Sequence, residues 1–341
     1  MKQSIFHELY QRMGAKFTDF LGYLCPLYYR GIIDEVLMVR NRIGIFDLFH
    51  MGRIIVYKNG NFSNLQKILS VKIDSIRIFD SNKGKAKYCL ILNDKGTIED
   101  DIVIYDLTDK MLIVCNACNK EKNISILKSL DLEFRDLSDE LMMLAIQGPL
   151  SSEAITKFLN IDLSDVYFYE YVVVNGLIIS RTGYTGEDGF EVYSNKDNIY
   201  SLLKWIKDNY GNVMCGLGAR DVLRIEAGLP LYGNEIDDNT TPADANLEWA
   251  VNIKREFKRT KYLKYFQVNG SRKIPRKGDE VYIDGLKAGY ITSGTFSPIL
   301  QKPIGMMYVN KLSNSYMVKD IYLDVSDNPF ITTRYYKRGR G

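Results

Sequence analysis

The chain has 341 residues, 46% of them hydrophobic and 26% charged, with a net charge of +3. That is longer than one ordinary domain and enough for two or three with real cores, in a composition typical of soluble globular proteins. So small a charge, with no basic run interleaved with aromatics, argues against nucleic acid, and no apolar run approaches the ~20 residues needed to span a bilayer. Only His7 and His50 are histidines, too few for a metal cluster or a Ser–His–Asp triad with any redundancy. Five cysteines, an odd number, point to reduced thiols. Residues 1–10 include Glu8 and no apolar core, unlike a secretory or transit peptide, so a cytoplasmic location is expected.

Residues 4–13 read as a helix, followed by a loop and a second helix over 32–40 carrying Ile33, Val36, Leu37 and Val39. Gly44 stops that helix, and extended structure begins over 45–51. His50 is expected to be packed or backbone-bonded. Asn59-Gly60 is a hairpin-type turn, and 63–69 is a short helix with Ser63 as its cap. Residues 86–105 read as strand, turn and strand, with the second strand opening on Glu99, Asp100 and Asp101. Alternation puts neighbours on opposite faces. With Ile102 on one face Asp101 takes the other, and one of its fellow acids is expected in solvent; a charged hairpin end gives the same pattern. The strand over 111–116 ends in Cys115-Asn-Ala-Cys118. This C-x-x-C lacks a second ligand pair and a helix start that would activate a thiol, so neither metal nor redox chemistry is expected there.

A helix over 152–159 and a hairpin turning at Asn175-Gly176 lead to the loop Arg181-Thr-Gly-Tyr-Thr-Gly-Glu-Asp-Gly-Phe-Glu191. Gly183, Gly186 and Gly189 recur every third residue, which suits positive φ or close backbone approach. A phosphate cradle needs Lys-Ser/Thr after the last glycine, or G-x-G-x-x-G opening a helix; here Glu187, Asp188 and Glu191 crowd the loop instead. A carboxylate in a glycine-shaped pocket suits a neutral heterocycle with paired N–H donors, such as a pterin or purine. A hairpin loop with solvated acids is the plain alternative. A helix over 195–210, closed by Gly211, precedes another over 218–227 with Arg220 and Arg224 four residues apart. Those arginines need acids, from Asp221, Glu226, the 187–191 loop or a ligand. Residues 254–261 read as a basic linker. Lys277-Gly278, Asp284-Gly285, Ser293-Gly294 and Asn328-Pro329 then punctuate short strands of a small barrel or sandwich, and 337–341 reads as a solvated tail.

The 181–191 stretch, together with Gly216-Leu-Gly-Ala-Arg-Asp221 through Asn234 and Thr241-Pro242, resembles the aminomethyltransferase family, the T-protein of the glycine cleavage system. The resemblance extends over most of the chain. It implies an α+β fold: a multi-domain cloverleaf of antiparallel sheets flanked by helices around a central folate cavity, plus a C-terminal β-barrel. Residues 1–253 form the folate-binding region, as two intertwined α+β subdomains, and 254–341 the barrel. It further implies transfer of the methylene carbon of the aminomethyl group on the lipoyl arm of H-protein to tetrahydrofolate, with release of ammonia. Tetrahydrofolate is then the cofactor and lipoylated H-protein the partner, with no role for nucleic acid or membrane.

Carried over by motif, Asp101 is the catalytic residue, the second aspartate of a family Gly-Gly-Ile-x-Asp-Asp. Glu191 accepts hydrogen bonds from the pterin edge. Met51, Tyr88, Asn116, Tyr184 and Trp249 wall the ring and its benzoyl extension, while Arg220, Arg276 and Tyr335 meet the polar tail or hold the pocket acids. The chain departs from the pattern at Leu48, Phe49 and Thr97, and its 249–277 connection is short. Rival readings are a folate-binding iron–sulfur assembly factor, whose Lys-Gly-Cys-Tyr-x-Gly-Gln-Glu motif is replaced here by 181–188, and a folate-dependent demethylase of a small donor.

Overall fold

The structure, a computed structural model, describes residues 1–313 and 315–337. Residues 338–341 of the expected solvated tail lie outside the described residues.

Two antiparallel sheets form the body of the molecule. The first has five strands in the order Phe134–Asp136, Gly52–Tyr57, Lys110–Cys115, Ile98–Asp106, Lys87–Leu92. The second has seven, in the order Gly44–Asp47, Met142–Gln147, Gly189–Ser194, Leu177–Ser180, Glu170–Val174, Lys83–Lys85, Ile78–Asp80. The strands Lys110–Cys115 and Met142–Gln147 are nearly continuous apolar runs because both faces are covered. One face of the seven-stranded sheet packs on the helices Ser151–Leu159 and Lys196–Tyr210 through Leu144, Ile146, Phe190, Ile199 and Leu202. Asn195 caps the longer of these helices, its side chain accepting from the Asn198 N–H at 3.0 Å.

The helices Ile32–Asn41 and Leu217–Glu226 bring Val36, Val39, Ala219 and Leu223 into one core with Phe46, Tyr105, Leu112 and Tyr193, drawn from both sheets. From Tyr262 onward six strands close into a barrel, filled by Phe266, Val281, Ile291, Met307 and Val318. The architecture is α+β, with antiparallel sheets and a C-terminal barrel.

Three local expectations need correction. Residues expected to form a loop after the first helix make a hairpin, Lys16–Phe20 with Tyr23–Tyr28. Its turn runs through Leu21 and Gly22, both at positive φ (56° and 84°), and leucine at the first position hides the usual Asn-Gly signal. Asn59-Gly60 does not close a hairpin. The preceding strand pairs with Lys110–Cys115 and Phe134–Asp136, and a 3₁₀ helix, Phe62–Lys67, follows with no side-chain cap from Ser63. Ser293-Gly294 lies inside the strand Leu286–Ser297 rather than at a turn. Glycine is needed at 294 because a Cβ there would strike the Pro275 carbonyl.

Candidate functional site

Alternation along the strand Ile98–Asp106 splits two adjacent carboxylates between its faces. Register pairs Asp101 with Leu90 and Asp100 with Ile91. Asp101 shares a face with Tyr88, whose hydroxyl donates to its Oδ2 at 3.1 Å. Asp100 points the other way and is fully buried. Glu99, half-buried like Asp101, has a side chain that is 20% exposed and pairs with Lys122 at 3.2 Å. Asp100 tolerates burial because amides surround it: Asn116 (2.8 Å), Asn119 (2.7 Å) and Asn123 (2.6 Å) all donate to it. Asn119 stands at the cap position of the helix Lys120–Ser129 but makes no cap hydrogen bond, its amide being turned to Asp100. Asn116, at the end of the neighbouring strand, also donates to Asp101 Oδ1 at 2.7 Å and so bridges the two carboxylates. Burial raises the proton affinity of Asp101 above the usual carboxylate range.

The glycine loop places three acids and pairs two of them. Asp188 makes a fork with Arg181, at 2.9 and 2.6 Å. Glu187 accepts from Arg40 and Arg334, each at 2.7 Å. Glu191 makes no such ion pair. It is 7% exposed, and Thr182 Oγ1 and Tyr193 Oη donate to its Oε2 at 2.6 and 3.4 Å. Burial pushes its pKa up, against the opposing charge of Arg220. Gly183 and Gly189 admit the side chain of Gln147, since a Cβ at Gly189 would come within 2.6 Å of Gln147 Nε2 and of the Ile146 carbonyl. Gln147 in turn donates to the Thr182 carbonyl at 3.1 Å.

The two arginines of the Leu217–Glu226 helix divide their roles. Arg224 is fully occupied by Asp221, Glu235 and Ser293. Arg220 lies over the Tyr184 ring, 4.8 Å from its centroid, and its buried Nη1 has no hydrogen-bond partner. A buried guanidinium N–H without an acceptor is a place where a ligand acceptor gains more than it would in water. Glu226 instead joins Arg40, at 2.7 Å.

These elements converge. The charge on Asp101 is felt by Tyr88, Tyr169 and Tyr184, and that on Glu191 by Tyr105, Tyr169 and Arg220. Trp249 is 69% exposed and stacks on Tyr88 with ring centroids 5.3 Å apart, at the rim. Tyr335 stacks on Phe168 at 3.9 Å, next to Tyr169. Met51 is half-buried and packs against the core shared by the two sheets. Arg276 is exposed on the barrel and donates to the Gly294 carbonyl at 3.3 Å.

Asp100, Asn119, Asn123, Thr182 and Tyr169 were not among the residues expected at the site. Asn119 and Asn123, four apart on one helix face, were the one sequence signal that could have found part of this group. His50 is packed, as expected, among Phe20, Tyr23 and Phe49. The Cys115 thiol is pushed up by burial, and that of Cys118 is raised to about 11, so neither is a thiolate near neutral pH.

A family model described as the GCVT N-terminal domain matches residues 6–255, and one described as the glycine cleavage T-protein C-terminal barrel domain matches 261–331. The chain is 42% identical over 321 residues to an aminomethyltransferase of Aquifex aeolicus, covering 90% of this chain and 87% of that protein. It is 37% identical over 332 residues to an aminomethyltransferase of Thermosipho melanesiensis, covering 91% and 90%. Its fold matches the crystal structure of glycine cleavage system aminomethyltransferase T from Bartonella henselae with a TM-score of 0.90 at 30% identity, covering 98% of this chain and 99% of that one.

Proposed function

The chain belongs to the aminomethyltransferase family, the T-proteins of the glycine cleavage system, and we propose that tetrahydrofolate binds between Asp101 and Glu191. The folate supplies two N–H nitrogens that take up the methylene carbon of the aminomethyl group; one of their protons leaves in ammonia and the other on the dihydrolipoyl sulfur. The side chains present fit that ligand. Glu191 has an acceptor oxygen outside its Thr182 and Tyr193 bonds for a pterin N–H edge, and the unpartnered Nη1 of Arg220 offers a donor to a polar group.

Tyr88, Asn116, Tyr184 and Met51 supply the mostly apolar walls, with Trp249 and Tyr335 at the edges. Asp101 orients a folate N–H and stabilises positive charge developing there. Arg276, exposed on the barrel, is assigned to the folate tail. Residues 1–253 form the folate-binding region and 254–341 the C-terminal barrel domain, which contributes Tyr335 and Arg276. The one-carbon donor is the lipoyl arm of H-protein, and the reaction belongs to the cytoplasm.

The observation that carries this reading is the pairing pattern of the acids. Glu187 and Asp188 are neutralised by arginines, whereas Asp101 and Glu191 have no ion-pair partner among the described residues. The test mixes the protein with tetrahydrofolate and aminomethyl-loaded H-protein and follows ammonia and methylenetetrahydrofolate together. Stoichiometric formation of both is expected, with a loss of about 100-fold or more in Asp101→Ala. Folate binding without either product would instead favour the binding-protein or demethylase readings.

A further inference from the structure

The adjacent carboxylates of Asp100 and Asp101 differ in what surrounds them, and the difference assigns the first a role. Every contact to Asp100 is an N–H donor. Its Oδ1 accepts from Asn116 (2.8 Å), Asn119 (2.7 Å) and the backbone N–H of Asp101 (3.0 Å), and its Oδ2 from Asn123 (2.6 Å). As the amides stand they offer Asp100 donors alone, although Asn123 also holds a buried Oδ1 that has no hydrogen-bond partner among the described residues. Asp101 differs, because its Oδ2 meets the Tyr88 hydroxyl at 3.1 Å, and a hydroxyl can turn to accept as well as donate. The donors around Asp100 therefore favour its anion, whereas the Tyr88 hydroxyl can accept a proton held on Asp101.

We infer that Asp100 is a positioning residue for the transfer reaction: a buried carboxylate that aims Asp101 through the shared Asn116 amide and sets the pH at which Asp101 works. This rests on the folate reading of the site given above.

The neighbouring charges are consistent with such a pair. On the strand itself, Glu99 is neutralised by Lys122, which also binds Asp238 at 2.7 Å. From the adjoining strands Tyr88, Cys89 and Cys115 face the pair, and from the 3₁₀ turn Ala117–Asn119 so does Cys118. Tyr169, Tyr184 and Tyr232 complete the surroundings. Burial raises the proton affinity of both carboxylates, and the neighbouring charge of Asp101 helps to push Asp100 up to about 7, against the lowering effect of the amides. No cation pairs with either among the described residues, so the charge of Asp100 acts on Asp101 uncompensated. The two titrate as a unit.

The sign of the effect is fixed. A negative neighbour makes Asp101 harder to ionise, so neutralising Asp100 lets Asp101 ionise at lower pH. In Asp100→Asn the acid limb of kcat/KM for the H-protein reaction is expected to move down by about one pH unit. In folate-free protein the carboxyl 13C signal of Asp101, assigned by its loss in Asp101→Asn, should titrate lower by the same amount. Asn119→Ser keeps both charges and removes one donor from Asp100; it should move the limb and the 13C midpoint upward, and it stands in if Asp100→Asn does not fold. A merely structural role for Asp100 would lower activity at every pH and leave both midpoints in place, and that result overturns the inference. Wild-type protein without turnover removes the folate reading and this inference with it. Wild-type turnover with unmoved midpoints in both variants overturns this inference alone.

Discussion

His50 packs against Phe20, Tyr23 and Phe49, with Nδ1 3.9 Å from Cys25 Sγ. Burial first, then the charges of Arg220 and Arg53, push its pKa down to about 3. Its folded value lies below its unfolded value, so it costs nothing above about pH 6.5, where both states are neutral. The cost grows as pH falls from there toward 3, reaching roughly 2–3 kcal/mol near pH 4.5. His50→Gln is expected to lose less stability than wild type between pH 7 and pH 4.5, as read from urea midpoints at the two pH values. Equal losses in the two proteins would mean that His50 is protonated in the fold. At this scale a motif in the sequence names single residues to test, as it does Asp101 and Glu191. The sequence was silent at Asp100, since nothing local says that three asparagines, contributed by a strand end and a helix, will converge on it.

The loop 181–191 shows how an element uses its glycines. Gly186 has a φ of +79°, and a Cβ there would lie 2.8 Å from the Ala227 Cβ, while Gly189 sits in strand geometry with no room beside Gln147 and Ile146. Gly189→Ala is expected to destabilise the protein by about 1–3 kcal/mol, because the clash at 2.6 Å involves a backbone carbonyl that cannot step aside. It should also weaken folate binding, since Glu191 is two residues away on the same strand. Thermal melting and a folate titration check the two effects, and an unchanged melting temperature would refute the packing argument. The every-third-residue spacing exposed the need for close approach. What approaches, Gln147 from a neighbouring strand, is a long-range fact of sheet order.

At the scale of the whole molecule, one buried ion network ties the chain together. Arg40 from the second helix holds Glu187 of the loop and Glu226 of a later helix, and Ser297 of the barrel donates to Glu226 at 2.5 Å. The C-terminal segment closes over it. The Arg334 N–H donates to the Gly186 carbonyl at 2.8 Å, the Phe168 N–H donates to the Tyr336 carbonyl at 2.8 Å, and Tyr336 lies 3.9 Å from the Arg181 guanidinium. The last barrel strand ends at Ser326, so a chain ending at Phe330 retains the barrel but loses the wall formed by Tyr335 on Phe168. Such a truncation is expected to raise the KM for tetrahydrofolate by about tenfold or more with a smaller change in kcat, since what is lost is ground-state binding. A fall in kcat at constant KM would place the tail in the chemistry instead.

Local patterning determined much of this protein: the hairpin carrying Asp101, the capped helix after Asn195, the loop that delivers Glu191, and a barrel after the basic linker, together with motifs that identify the family. Those features follow from side-chain period and turn chemistry, which act over a few residues. The tertiary structure alone decided which charges are paired. Glu187 meets Arg40 across 147 positions and Glu226 meets it across 186. Ion pairing depends on distance and burial in space, so only the fold could show Asp101 and Glu191 without an ion-pair partner among the described residues.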